Sequence, residues 1–331
     1  HDVEIGFKAF NPKNYYKTIE IIPKENEKVK NIDQMGEGMK NLIFISLLRT
    51  YAKLFPESTI FLIEEPELYL SPQGRADLFN IFLSLTKNGS QVIYSTHSQE
   101  FIDIEYFSNI CTVRKIKDIT GYCTEIFQID DRQFLNEWKV QTQMESATIE
   151  SIKLFLKNIS NSETNKGFFA KKIVLVEGQT EKWSLATYAE NAGYDFEKNN
   201  IEIINVNGKT NIEKFYLIFK NLKYPIYVIF DGDKPKKEEE ITNKKLTKLL
   251  SGVETSYPQT IISERFAIFE ENYEMELKKN VADYSKLESE ARQLYGLKSE
   301  RNKEIVARFI ANNADTPEFV KILLTKIKEC N

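Results

Sequence analysis

The chain has 331 residues, enough for roughly two domains that each bury a core. Its 41% hydrophobic and 28% charged residues describe a soluble globular protein, and its net charge of -4 gives no overall electrostatic pull toward nucleic acid. The three cysteines (Cys111, Cys123, Cys330) lack metal-ligand spacing, and no apolar stretch is long enough to span a bilayer. A disulfide framework, a zinc site and a membrane span are therefore not expected, and a cytoplasmic location is.

After a weakly patterned start (1–29), Met35-Gly36-Glu37-Gly38-Met39-Lys40 makes a glycine-flanked turn, and apolar residues at helical spacing over 41–54 predict a helix. An apolar run, 60–63, ends in Glu64-Glu65-Pro66-Glu67; a helix over about 74–86 and a strand over 91–94, ending in Ser95-Thr96-His97-Ser98, follow. Strand, helix, strand in this rhythm indicates a parallel sheet. The stretch 131–165 is polar and helical, with a loop-like composition at Asn161-Ser162-Glu163-Thr164-Asn165, and marks the expected domain boundary.

The parallel rhythm then repeats. Strands are expected over 173–177, 201–206 and 226–230, helices over 181–191 and 211–222, and a loop at Asn207-Gly208-Lys209. Charged helical segments (236–250 and 283–312) frame a short strand-like piece at 260–263 and an acidic stretch at 269–277. Basic clusters occur at Lys234, Lys236 and Lys237, at Lys244, Lys245 and Lys248, and at Arg292, Lys298, Arg301 and Lys303. Most suit solvated helix faces, but a phosphate chain approaching an acidic metal site needs basic neighbours, which singles out Lys234 and Lys303.

Two strand ends concentrate acids: Glu177-Gly178-Gln179-Thr180-Glu181 after 173–176, and Asp231-Gly232-Asp233 after 226–230. In open α/β sheets the carboxyl edge is where ligands bind. Acids held about 5 Å apart repel by roughly 3 kcal/mol per pair at an effective dielectric near 20, so a divalent cation is their natural partner. Alternate residues of an extended segment share a face, which lets Asp231 and Asp233 aim at one ion. Glu181 falls in a helix's first turn, a place acids also occupy for capping alone.

Residues 59–98 resemble the Walker B, D-loop and switch-histidine portion of ABC-type ATPases, carried by Phe61-Leu62-Ile63-Glu64-Glu65-Pro66-Glu67-Leu68-Tyr69-Leu70-Ser71-Pro72 and Ser95-Thr96-His97-Ser98. The resemblance puts magnesium holding on Glu64, activation of the attacking water on Glu65 and γ-phosphate contact on His97. Gly36 and Gly38 lie where such ATPases carry the glycine-rich signature that meets nucleotide. Glu64 stands where Asp is usual, and no Gly-x-x-x-x-Gly-Lys-Ser/Thr phosphate loop occurs. The chain, starting at His1, reads as the C-terminal part of a longer protein, with ATP bound only in the complete ATPase domain.

Residues from about 171 to 310 resemble the TOPRIM domain of topoisomerases, primases and certain nucleases, through Val174-Leu175-Val176-Glu177-Gly178 with Glu181 and Val228-Ile229-Phe230-Asp231-Gly232-Asp233. An ABC ATPase fused to TOPRIM is similar to the OLD (overcoming lysogenization defect) family of nucleases, which includes the Gabija-type anti-phage subunits. The implied fold is α/β: the C-terminal half of an ABC-type ATPase domain (1–130), a helical linker (131–165) and a TOPRIM domain with a parallel sheet flanked by helices (166–331). In Asn272-Tyr273-Glu274-Met275-Glu276-Leu277 the family's second metal-binding stretch falls on Glu274 and Asn272, with Glu270, Glu271 and Glu276 leaving the register open. Lys303 matches the family's catalytic lysine.

The resemblance thus implies a DNA endonuclease using two Mg²⁺ or Mn²⁺ ions. Glu177, Asp231 and Asp233 hold one, Glu181 and Glu274 help hold the other, and Lys303 neutralises the scissile phosphate. It also implies a homodimer or higher homo-oligomer and leaves room for a helicase or other defence-system partner. A nonenzymatic dimerisation scaffold with a structural ion, and an RNA-processing TOPRIM nuclease, are the alternatives.

Overall fold

The computed structural model describes residues 2–7, 19–25, 28–29, 35–54, 59–68, 70–119, 121–298 and 302–330. Tyr69 of the acid-rich motif and Arg301 of the basic segment lie outside these. The chain forms two compact units, His1–Phe101 and Ile102–Asn331.

In the first unit, β1 (Asp2–Phe7), β2 (Ile19–Glu25) and β3 (Lys28–Val29) pair antiparallel. They precede α1 (Glu37–Leu54), β4 (Ile60–Glu64), α2 (Pro72–Lys87) and β5 (Gln91–Ser95). The expected parallel pair is present: β4 lies beside β5 with Glu64 opposite Ser95. Helix α2 starts where it does because the Ser71 hydroxyl accepts the Gly74 N–H at 3.2 Å and Pro72 occupies the first turn, where its missing N–H costs nothing. Its face of Leu78, Ile81, Phe82 and Leu85 buries against Ile45, Leu48 and Phe101, which holds the two strand ends in register.

The second unit opens with an antiparallel hairpin, β6 (Cys111–Asp118) and β7 (Gly121–Gln128), that the sequence reading did not anticipate. Val113, Tyr122 and Ile126 point to solvent, so its apolar residues do not alternate cleanly between inside and outside. Next come α3 (Asp131–Thr142), α4 (Ile149–Ile159) and α5 (Ser162–Lys166), capped by Asp130, Thr148 and Asn161. This stretch, expected as a linker, lies inside the second unit and gives Phe134, Trp138, Ile152 and Leu156 to its core.

The remaining elements are β8 (Lys172–Val176), α6 (Gln179–Asn191), β9 (Ile201–Asn205), α7 (Lys209–Asn221), β10 (Ile226–Asp231) and α8 (Glu240–Ser251). After them come β11 (Ile261–Ile262), β12 (Phe266–Phe269), α9 (Tyr273–Asn280), α10 (Tyr284–Leu294), α11 (Lys303–Asn313) and α12 (Glu318–Glu329). They build a five-stranded sheet in the order β11-β12-β10-β8-β9, parallel except for β11. The central strands β8 and β10 are buried on both faces, as covered parallel sheets require.

Alternate residues of β8 and β10 feed two separate layers. Ile173, Leu175, Val228 and Phe230 pack with Phe134, Phe215 and Phe219; Val174, Val176, Tyr227 and Ile229 pack with Leu185, Tyr188 and Ile310. Each fully buried aliphatic side chain is worth about 1.5–3 kcal/mol, so this double layer fixes the strand ends firmly. Strand β12, absent from the sequence reading, sets the acidic stretch that follows it beside the end of β10.

Candidate active site

In the first unit, Glu64 ends β4 and Glu65 follows with φ +45°, its N–H donating to the Ser95 carbonyl at 3.1 Å. The left-handed turn swings the Glu65 carboxylate to 3.2 Å from His97 Nε2, bringing the expected water-activating acid and switch histidine together. Gly36 and Gly38 stand at the start of α1, where the Gly36 carbonyl accepts the Met39 N–H at 2.9 Å. The sequence reading gave Glu67 no role. Its buried carboxylate accepts both the Thr96 hydroxyl and the His97 N–H at 2.7 Å, and so anchors the histidine loop. The spacing of Glu67 behind the acid pair carried no signal for that contact.

In the second unit, Glu177 directly follows β8 and Asp231 ends its neighbour β10, and the Asp231 N–H reaches the Glu177 carboxylate at 3.4 Å. Asp231 Oδ1 in turn accepts the Tyr273 N–H at 2.9 Å, which ties β10 to the first turn of α9. Glu181, 4% exposed, accepts the Gly178 N–H at 3.1 Å at the start of α6. Glu274, in the first turn of α9, lies 3.5 Å from the ammonium of Lys303, the first residue of α11.

These acids act on one another's protonation. Burial, reinforced by the charges of Glu181, Glu177, Glu274 and Asp233, holds Asp231 well above the usual carboxylate range. Burial pushes Glu177 up to about 7 despite the opposing charge of Lys209. Burial, with the charges of Glu274 and Glu177, pushes Glu181 up to about 7 as well. Among the described residues no three His, Cys, Asp or Glu side chains are gathered into a ready-made metal cage. The donor chemistry nonetheless fits a divalent ion: hard carboxylate oxygens whose mutual repulsion a cation would relieve.

Two residues expected as ligands have other occupations. Asn272 caps α9, its side-chain oxygen accepting the Met275 N–H at 2.8 Å. Asp233 lies past the end of β10 at φ +54°, so the extended alternation that would align it with Asp231 no longer applies. Its oxygens accept from Lys209 at 2.6 Å and Lys236 at 2.7 Å. Burial alone would raise its carboxyl, but these lysine hydrogen bonds hold it below the usual range. Gly232 between the two Asp residues is required: a Cβ there would sit 2.7 Å from the Glu270 carbonyl and 3.0 Å from that of Phe269.

Beside Glu274 and Lys303 opens a cleft of about 200 Å³, lined also by Lys278, Tyr284, Glu288 and Arg292. Arg292 forks onto Glu288 through Nε at 3.0 Å and Nη2 at 2.8 Å. Of the basic residues noted in the sequence, Lys234 pairs instead with Glu270 at 2.6 Å.

Residues 168–233 match the TOPRIM domain of overcoming lysogenization defect protein-like proteins, and residues 2–102 match an AAA ATPase domain. The chain thus carries one segment similar to an AAA-type ATPase domain and another similar to an OLD-like TOPRIM domain. The chain is 26% identical over 239 residues to the OLD nuclease of Thermus scotoductus, aligning 70% of itself with 42% of that protein. It is 27% identical over 219 residues to the Old nuclease of Escherichia phage P2 (63% and 35%), and 26% identical over 239 residues to endonuclease GajA of Bacillus cereus (66% and 34%). The chain therefore spans well under half the length of these relatives. The solved C-terminal region of the Xanthomonas campestris pv. campestris OLD protein aligns with 50% of this chain and 95% of its own, at 15% identity and a TM-score of 0.39.

Proposed function

We propose that the protein is a divalent-metal-dependent endonuclease that nicks or cleaves DNA, regulated by its ATPase segment and acting in anti-phage defence. The observation that carries this reading is the placement of Glu177 and Asp231 at neighbouring strand ends, where the Asp231 N–H reaches the Glu177 carboxylate at 3.4 Å, with Glu181 in the first turn of α6 and Glu274, in the first turn of α9, paired to Lys303. Glu177, Glu181, Asp231 and Glu274 would hold the ions, Mg²⁺ or Mn²⁺, two per site. Bound there, such ions supply a hydroxide nucleophile near neutral pH and stabilise the leaving oxygen.

The chain's own groups do the rest. The Tyr273 N–H fixes one Asp231 oxygen, which leaves the other free to face the cluster. The Lys303 ammonium, more than half exposed, is placed to neutralise charge growing on a scissile phosphate. Lys278 and Arg292 line the adjoining cleft and give the backbone on either side of that phosphate a cationic seat. In the first unit, Glu64, Glu65 and His97 would serve ATP together with the parts of a complete ATPase domain, with Gly36 and Gly38 as the signature that meets nucleotide. A homo-oligomer and a helicase-like defence partner suit the same reading.

Supercoiled plasmid incubated with the protein in Mg²⁺, Mn²⁺ or EDTA tests it. Nicking or linearisation that needs metal and disappears in Asp231→Ala supports the nuclease. Plasmid left intact by the wild type under both metals overturns it.

A further inference from the structure

The chain has two tryptophans, and they are placed oppositely: Trp138 is 2% exposed in the core, whereas Trp183, in α6, is 41% exposed. An indole is seldom left so open, because it is among the largest apolar surfaces a side chain can bury. Its position follows from the helix: two residues past Glu181, Trp183 lies about 200° further round α6 and turns to solvent instead of joining the acids. From α11 the Arg308 guanidinium lies over the Trp183 ring, 5.2 Å from its centroid. Arg308 is itself exposed, and among the described residues no carboxylate lies within ion-pair distance of it, that of Glu304 one turn earlier included. Lys182 is the contrasting neighbour, for its ammonium, 5.9 Å from the same ring, is held by Glu163 at 2.7 Å. The surface thus joins an open aromatic ring to a planar cation that no acid holds.

Helix α11 links this surface to the acids. Lys303, its first residue, rests on Glu274, and Arg308 lies five residues on, about 7.5 Å along the axis at roughly 1.5 Å per residue. Nucleotides of one strand are spaced about 3.4 Å apart along a stacked duplex, so this reach is roughly two nucleotides. Resting on the nuclease reading above, in which Lys303 meets the scissile phosphate, we infer that Trp183 and Arg308 form a base-stacking contact for the DNA strand, occupied by an unpaired nucleotide about two positions from the cut. Bases inside a duplex already stack on both faces and offer none to a side chain without being unstacked. A base in a flap, gap or bubble is free to lie on the indole, while Arg308 supplies a second stacking plane or a charge for the adjoining phosphate. The contact selects the structure of the substrate and takes no part in bond breaking.

The test is nucleic-acid binding in EDTA, which depends neither on metal nor on cleavage. A short single-stranded DNA, its blunt duplex and the RNA of the same sequence are titrated against wild type, Trp183→Ala, Trp183→Phe and Arg308→Ala, with thermal melting as the check on folding. Single-stranded DNA should quench the tryptophan emission of the wild type, and the quenching should vanish in Trp183→Ala, where only the buried Trp138 emits. Single-strand affinity should fall about tenfold or more in Trp183→Ala and return to within about threefold in Trp183→Phe, with duplex affinity changed less than about threefold. Arg308→Ala should weaken single-strand binding by about threefold or more and lower its salt dependence by about one counterion. If Trp183→Ala does not fold, the wild-type quenching and Arg308→Ala decide. Single-stranded DNA bound without quenching, a folded Trp183→Ala with unchanged affinity, or equal losses for single strand and duplex overturn the inference and leave the nuclease reading standing. RNA bound about tenfold tighter than DNA overturns the assignment to DNA. Wild-type protein that binds no nucleic acid overturns the nuclease reading itself and this inference with it.

Discussion

Lys303 Nζ lies 3.5 Å from Glu274 Oε1, joining the first residue of α11 to the first turn of α9 beside the buried acids of the sheet edge. The pair puts one exposed cation beside the acids, resting on Glu274 and within reach of an incoming phosphate. Replacing Lys303 with Met should slow cleavage by about 10²–10³-fold, the scale of losing one charge-stabilising donor. Mn²⁺ affinity should hold or rise, because Glu274 loses its counter-ion. Parallel rate and metal titrations of the variant check both.

The raised acids make stability depend on pH in a definite direction. Glu177 and Glu181 bind protons more tightly folded, at about 7, than unfolded, near 4.5. Their contribution is therefore full below about pH 4.5 and is lost as pH rises through about 7. Metal-free protein should melt at a lower temperature at pH 8 than at pH 5.5 on their account. Mg²⁺ should restore the loss at pH 8 and do little at pH 5.5, where protons compete for the same oxygens. Melting curves in EDTA and in Mg²⁺ across this range measure it.

Gly232→Ala should destabilise the second unit by about 1–3 kcal/mol, because the new methyl meets backbone carbonyls that cannot swing aside. Metal binding should weaken with it, since the clash falls on the turn that carries Asp231. Urea unfolding gives the first value and calorimetry the second.

Much of this site was legible in the sequence because buried strands announce themselves. The runs before Glu177 and Asp231 are continuous and apolar, and acids at their ends have nowhere to go but the sheet's edge. Asp233 was harder to read, since a left-handed backbone just past the strand breaks the alternation that places Asp231, and no residue-level pattern reports that φ. Asn272 is ambiguous by nature: the same side chain that can hold an ion is a favoured helix cap. Lys209 sat in plain view after Asn207-Gly208 but looked like any loop lysine, because its partners come from α8 and from the Asp-Gly-Asp turn. The hairpin of β6 and β7 escaped for a different reason, having apolar residues on its solvent face.

Glu67→Ala should cost the first unit about 1–3 kcal/mol by leaving the Thr96 and His97 donors without their shared acceptor. The second unit has its own core and should keep its stability. Hydrogen exchange resolved by segment separates the two: faster exchange across β4, β5 and the histidine loop, with β8 and β10 unchanged.

The most direct test is an anomalous difference map from crystals grown in Mn²⁺. The account predicts Mn²⁺ at the carboxyl edge of the sheet, held by Glu177, Glu181, Asp231 and Glu274. A map with no peak at this edge would contradict it.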